Sequence, residues 1–127
     1  MIIKKATEFS RDFEIKPDIE RDELLALATR FIDEEIQETK DAINCNDREE
    51  IIDGFGDVAF LAINGIYKEF ISMGDNHEAA TQKVEEVLNR ICDANLGKKQ
   101  PDGTIKYVNG KVQKPANWMP PAYKDIL

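Results

Sequence analysis

Apolar residues recur every three or four positions through most of the chain, the spacing of helix faces and not of strands. Ile2, Ala6, Phe9 and Phe13 outline a short first helix over residues 3–13. Pro17 ends it or follows its end, because a proline drives the residue before it out of the helical region. Asp18 or Glu20 starts a second helix that runs to about Asn44, with Leu24, Leu27, Ala28, Phe31, Glu35, Glu38 and Ala42 on one stripe. Asn46 or Asp47 caps a third, from about Arg48 to Phe70. One of its faces is Ile51, Phe55, Val58, Ala59, Ala62, Ile66 and Phe70; the opposite one holds Glu50, Asp53, Asp57, Phe60, Leu61 and Asn64. A helix that is apolar on most sides is expected at the centre of a bundle. After a break at residues 72–76, a fourth helix spans about Glu78 to Leu96, with Val84, Val87, Leu88, Ile91 and Ala94 inward and Gly97 as terminator.

The last thirty residues change period. Asn109-Gly110 between two short β-prone runs predicts a tight hairpin. An extended segment follows, anchored by Trp118. The expected fold class is therefore all-α, a four-helix bundle with a short C-terminal β-hairpin and tail. At 127 residues it is expected to form a single domain, with a helical core over about 3–96 and the hairpin and tail over 97–127.

Acids interrupt this pattern in a particular place. Glu35 and Glu38 fall inside the apolar stripe of the second helix, whereas a solvated charge run would lie opposite it. Glu50, Asp53 and Asp57 stack over two turns of the third helix. Two acidic faces packed together would be costly unless cations neutralise them, and all-oxygen ligation favours Mg²⁺, with Mn²⁺ as a substitute. The plainer reading is that these are surface acids of amphipathic helices. The only histidine, His77, falls in an expected loop and is read as solvated, which argues against a diiron carboxylate bundle. Gly54 and Gly56 each cost about 1 kcal/mol relative to Ala in a helix, which suggests a close approach of another backbone or of a ligand.

Charge narrows the partners. A net charge of −8 argues against nucleic acid, whose phosphates would be repelled. No apolar run is long enough to span a membrane, the N-terminus lacks a signal-peptide pattern, and Cys45 and Cys92 are spaced as free thiols; a cytoplasmic protein is expected. Phosphate on a small molecule is the natural partner of a Mg²⁺ site. The basic tail (Lys98, Lys99, Lys106, Lys111 and Lys114) supplies matching cations, although any single lysine reads equally as solvated surface.

Glu34-Glu35-Ile36-Gln37-Glu38, followed by an acidic helix through Asp57-Val58-Ala59-Phe60, resembles the MazG-type all-α nucleoside triphosphate pyrophosphohydrolases. That superfamily also holds phosphoribosyl-ATP pyrophosphohydrolase and the dimeric dUTPases, and its pattern is EExxE followed by ExxD. Asn95-Leu96-Gly97-Lys98 and Gly110-Lys111-Val112-Gln113-Lys114 are similar to the tail of MazG-like phosphohydrolases. One departure is that Gly54 stands where the family has a glutamate three residues before Asp57; Glu50 and Asp53 satisfy the ExxD spacing instead. The resemblance implies Mg²⁺-dependent hydrolysis of a nucleoside triphosphate, preferably a deoxynucleotide, to monophosphate and pyrophosphate. It implies Glu35, Glu38, Asp53 and Asp57 as metal ligands with Glu50 behind them, Glu34 or Glu38 as the base that takes the water's proton, and Asn95, Lys98, Lys111 and Lys114 as substrate contacts. Trp118 and Tyr107 could close over the base, or Trp118 could simply pin the tail. Alternatives are a phosphoribosyl-ATP pyrophosphohydrolase and a non-catalytic helical module that binds a partner through its acidic face. Surplus apolar surface at Ile63, Ile66, Phe70 and the first helix predicts a homodimer or homotetramer.

Overall fold

The structure, a computed structural model, describes residues 1–16 and 18–127; the break expected at Pro17 lies outside the described residues. Four helices carry the chain: α1 (Ile2–Phe9), α2 (Arg21–Asn44), α3 (Arg48–Ser72) and α4 (His77–Leu96). The strands β1 (Tyr107–Val108) and β2 (Lys111–Val112) form the hairpin. The fold is all-α, as expected. The chain divides into two compact units, Met1–Val84 and Glu85–Leu127, whose boundary falls within α4.

In the first unit α2 and α3 pack along one another, joined by the turn Cys45–Asp47. Asp47 caps α3 by accepting from the Glu50 N–H at 3.2 Å, and Asn46 adopts a left-handed φ of 54° to turn the chain. The two helices approach closely at Gly54, where an added Cβ would collide with the Thr39 hydroxyl and stand 3.1 Å from its Cβ. The neighbour that excludes a side chain there is thus itself a side chain. Gly56 has nothing within 4 Å of the same position, so the close approach expected of both glycines holds for Gly54 alone.

The buried face of α3 is not its most apolar one. Gly54, Asn64, Tyr67, Lys68 and Phe70 are buried, while Ile52 and Phe55 are 74% and 61% exposed and Ala59 and Ala62 are exposed too. Gly54 is buried where Thr39 of α2 meets it, and farther along Tyr67 and Lys68 are buried where His77 and Glu14 meet them. The first helix departs from expectation similarly. It ends at Phe9 and continues as a π-helical turn, Ser10–Glu14. Its buried residues are Ala6, Thr7 and Ser10, whereas Ile2 and Phe13 are 77% and 71% exposed. The Thr7 hydroxyl lies 2.9 Å from that of Thr81, so this helix turns a hydroxyl inward beside Ala6, and only part of the apolar stripe is buried. His77 also departs from expectation: it opens α4, half-buried, with Nδ1 2.8 Å from the Tyr67 hydroxyl.

In the second unit, Asn109 and Gly110 have φ of 52° and 76°, the left-handed pair that a two-residue hairpin turn of the expected kind requires. Tyr107 pairs with Val112 and Val108 with Lys111. Trp118 pins the extended tail by donating its Nε1–H to the Ala94 carbonyl at 2.7 Å. Arg90 holds the last turn through Asp125, at 2.6 and 2.8 Å. No helix among the described residues is long and apolar enough to cross a membrane.

The two helix glycines should respond oppositely to alanine. Gly54→Ala should lose about 1–3 kcal/mol by overpacking against Thr39, and Thr39→Ala in the same chain should recover most of it. Gly56→Ala should gain up to about 1 kcal/mol from helix propensity. Urea denaturation reads all three.

Candidate functional site

The cleft of the first unit has a volume of about 300 Å³ and is lined by Phe9, Glu14, Phe31, Glu35, Asp57, Phe60 and Leu61. Each element contributes for a local reason. The π-helical turn delivers Glu14, the α2 stripe brings Phe31 and Glu35 one turn apart, and α3 brings Asp57, Phe60 and Leu61 on consecutive turns. Phe9 meets Phe60 edge-on, with ring centroids 5.2 Å apart, so the cleft lining combines aromatic rings with the carboxylates of Glu14, Glu35 and Asp57.

Glu35 is the electrostatic centre. Its carboxyl is pushed above the ordinary glutamate range, first by burial and then by the negative charges of Glu38, Asp57, Asp53 and Glu34. Glu35 and Asp57 share the cleft. Glu38 and Asp53 are exposed in the single chain and bear on Glu35 through their charge. The inward phase expected of Glu38 therefore belongs to Thr39, which is buried and donates to the Glu35 carbonyl at 2.7 Å. Glu34 is exposed and lies 3.9 Å from Arg30. Glu50, in the first turn of α3, is exposed. Among the described residues no three His, Cys, Asp or Glu side chains are gathered closely enough to hold a metal ion.

One residue of the cleft, Glu14, and its buried partner Lys68 were not singled out from sequence. Glu14 accepts from the Ser10 hydroxyl at 2.7 Å and from the Lys68 ammonium at 2.8 Å. Lys68 is 2% exposed. A lysine within the apolar run Ile66–Ile71, one turn beyond Asn64, was the available signal; a lysine seldom goes inside without a partner acid.

The expected substrate residues belong to the second unit. Asn95 donates to the Ile91 carbonyl at 2.9 Å and accepts from Lys98 at 2.7 Å, so these two engage each other. The ammonium groups of Lys98 and Lys114 stand 5.6 and 4.6 Å from the Trp118 ring centroid, within cation–π range. Trp118 thus both pins the tail and gathers two lysines. Asn95 and Lys98 also line a pocket of about 280 Å³ with Leu96, Lys99, Ile105, Tyr107 and Val112. Lys111 is exposed on β2. A larger hollow of about 500 Å³ beside Trp118 includes Arg90, whose guanidinium is already taken by Asp125, Glu86 and the Ala122 carbonyl.

A family model described as phosphoribosyl-ATP pyrophosphohydrolase matches residues 8–86. That span contains the cleft and every acid of α2 and α3 discussed above, and it stops short of Asn95 and the tail lysines. No curated protein and no solved structure matches the chain.

The repulsion at Glu35 has a consequence for stability. A carboxyl whose folded pKa is raised binds protons more tightly in the folded than in the unfolded state. Its contribution is fully present below the unfolded value near 4.5 and is lost as pH rises through the higher folded value. Without divalent metal, Tm should therefore fall across that window as pH rises. Glu35→Gln should flatten the fall and raise Tm at neutral pH, as read by scanning calorimetry in EDTA.

Proposed function

The chain belongs to the phosphoribosyl-ATP pyrophosphohydrolase family of the MazG-like all-α superfamily and is a pyrophosphohydrolase acting on phosphoric anhydrides; from that premise we propose that it hydrolyses nucleoside triphosphates, preferably deoxynucleotides, to the monophosphate and pyrophosphate with Mg²⁺. The observation that carries this reading is the cleft itself, about 300 Å³ in volume and lined by both carboxylates and aromatic rings, Glu35 and Asp57 among them. An aromatic wall suits a planar base, and mutually repelling carboxylates suit a cation that a triphosphate would share.

The donor set fits Mg²⁺, with Mn²⁺ as a substitute: every candidate ligand is a carboxylate, and no cationic side chain is paired with Glu35, Glu38, Asp53 or Asp57 among the described residues. Glu35, Glu38, Asp53 and Asp57 are the proposed ligands, with Glu50 at the edge of the set, and they would have to draw together from their present separation to hold it. When bound, the cation supplies charge neutralisation at the phosphates and acidifies water. The chain's own groups do the rest. Phe9, Phe31 and Phe60 exclude water from the cleft and pack the nucleoside. Water adds its oxygen to one of the two phosphorus atoms flanking the α–β bridging oxygen, and the bond from that phosphorus to the bridge breaks. Glu38, or Glu34 once freed from Arg30, takes the proton the water loses. Asn95, Lys98, Lys111 and Lys114 are the proposed contacts for phosphate oxygens and sugar.

The family's described substrate, phosphoribosyl-ATP, is the second reading; the same bond type is cleaved there, and the matched span covers the same acids. We also propose a homodimer or homotetramer in the cytoplasm. The uncovered apolar face of α3, with Ile52 and Phe55 largely exposed, is the surface a second copy would cover.

Incubation with each common NTP and dNTP and with phosphoribosyl-ATP, with and without Mg²⁺, should yield pyrophosphate from one or a few nucleoside triphosphates. Glu38→Gln should cut kcat about a hundredfold or more. Turnover of phosphoribosyl-ATP alone establishes the second reading, and release of free phosphate without pyrophosphate overturns both. Light scattering should show a dimer or tetramer, and Phe55→Glu should shift it toward monomer; a monomeric parent chain refutes the assembly.

A further inference from the structure

Glu14 is the carboxylate of the cleft that the proposed reaction does not use. It sits at the cleft wall with 19% of its side chain exposed, gripped from behind by Lys68 and Ser10. A carboxylate oxygen has two acceptor positions, and each Glu14 oxygen spends one of them on these donors, so each keeps another. The grip also argues against a metal-ligating role, since the charge of Glu14 is already balanced by a buried ammonium. Glu14 is nonetheless among the residues that line the cleft. The π-helical turn Ser10–Glu14 holds this geometry, and such turns recur at functional sites. Asn64 is 1% exposed, with neither Oδ1 nor Nδ2 bonded to any group. On α3 it lies one turn from both Leu61 of the wall and Lys68, and so adds an unmatched donor and acceptor to the same helix face.

Building on the proposed triphosphate reading, we propose that Glu14 reads the nucleotide base and that the base is guanine. A carboxylate fixed by Lys68 and Ser10, with one acceptor position left on each oxygen, matches two parallel N–H donors. Guanine presents such a pair, N1–H and the 2-amino group. Adenine and cytosine present one amino donor beside a ring nitrogen that repels the carboxylate. Uracil and thymine present one N–H between two carbonyl oxygens that do the same. Phe9, Phe31 and Phe60 supply the faces against which the ring would stack.

The test compares dGTP with dITP, which lacks only the 2-amino group. The wild-type chain should prefer dGTP by about tenfold or more in kcat/KM, the discrimination of one good bidentate contact. Glu14→Gln should lose that preference while changing dITP turnover much less. A chain that folds poorly with Lys68 left unpaired is replaced by Glu14→Gln with Lys68→Met, which removes both charges together. Equal kcat/KM for dGTP and dITP in the wild type overturns the proposal, as does an equal loss on both in the variant. Preference for another base overturns it and leaves the triphosphate reading standing. Absence of turnover on every triphosphate sinks that reading instead. Calorimetric titration with dGMP and dIMP then reads the same contact without catalysis, and equal affinities overturn the guanine assignment.

Discussion

The approach of α2 to α3 at Gly54 and Thr39 is the constraint on which the site depends. A side chain at Gly54 would separate the helices, and the acids of α2 would then no longer feel those of α3. Their proximity lifts the Glu35 carboxyl above its ordinary range through its neighbours' charges as well as burial. The fold thus spends stability to concentrate negative charge, an arrangement that a cation and a polyphosphate would relieve together.

The same constraint explains why α3 turns as it does. Hydrophobicity alone favours burying Ile51, Phe55, Val58 and Ala62, but the close contact with Thr39 lies at Gly54, on another face. Gly54 is buried, and Ile52 and Phe55 are left outward. A polar, glycine-bearing face toward α2 and an apolar face outward fit a subunit that completes its covering by association.

Helix ends were legible in the sequence because their causes are local. Asp47 caps α3 and Asn109-Gly110 turns the hairpin as residue chemistry dictates. Helical spacing also made legible which acids stack along each helix, but that Glu35 meets Asp57 across the cleft depends on how α2 and α3 are rotated against one another. The phase of α1 and α3 was not legible, because it depends on a hydroxyl meeting a hydroxyl and on a glycine meeting a threonine across the bundle. Glu14 was also missed. It stands in no motif, and the lysine that gives it meaning is 54 residues away.

That distance shapes how such a chain can diverge. Losing either member of the Glu14–Lys68 pair strands a charge in the interior, at a cost of about 3–5 kcal/mol, which is a large part of the stability of a domain this size. Exchanging both for apolar residues of similar volume is close to neutral. The two positions therefore form one heritable unit separated by a fitness valley. A lineage can cross it only by near-simultaneous change or after other substitutions have raised stability, so the wall of the cleft should change its chemistry in jumps and not by degrees.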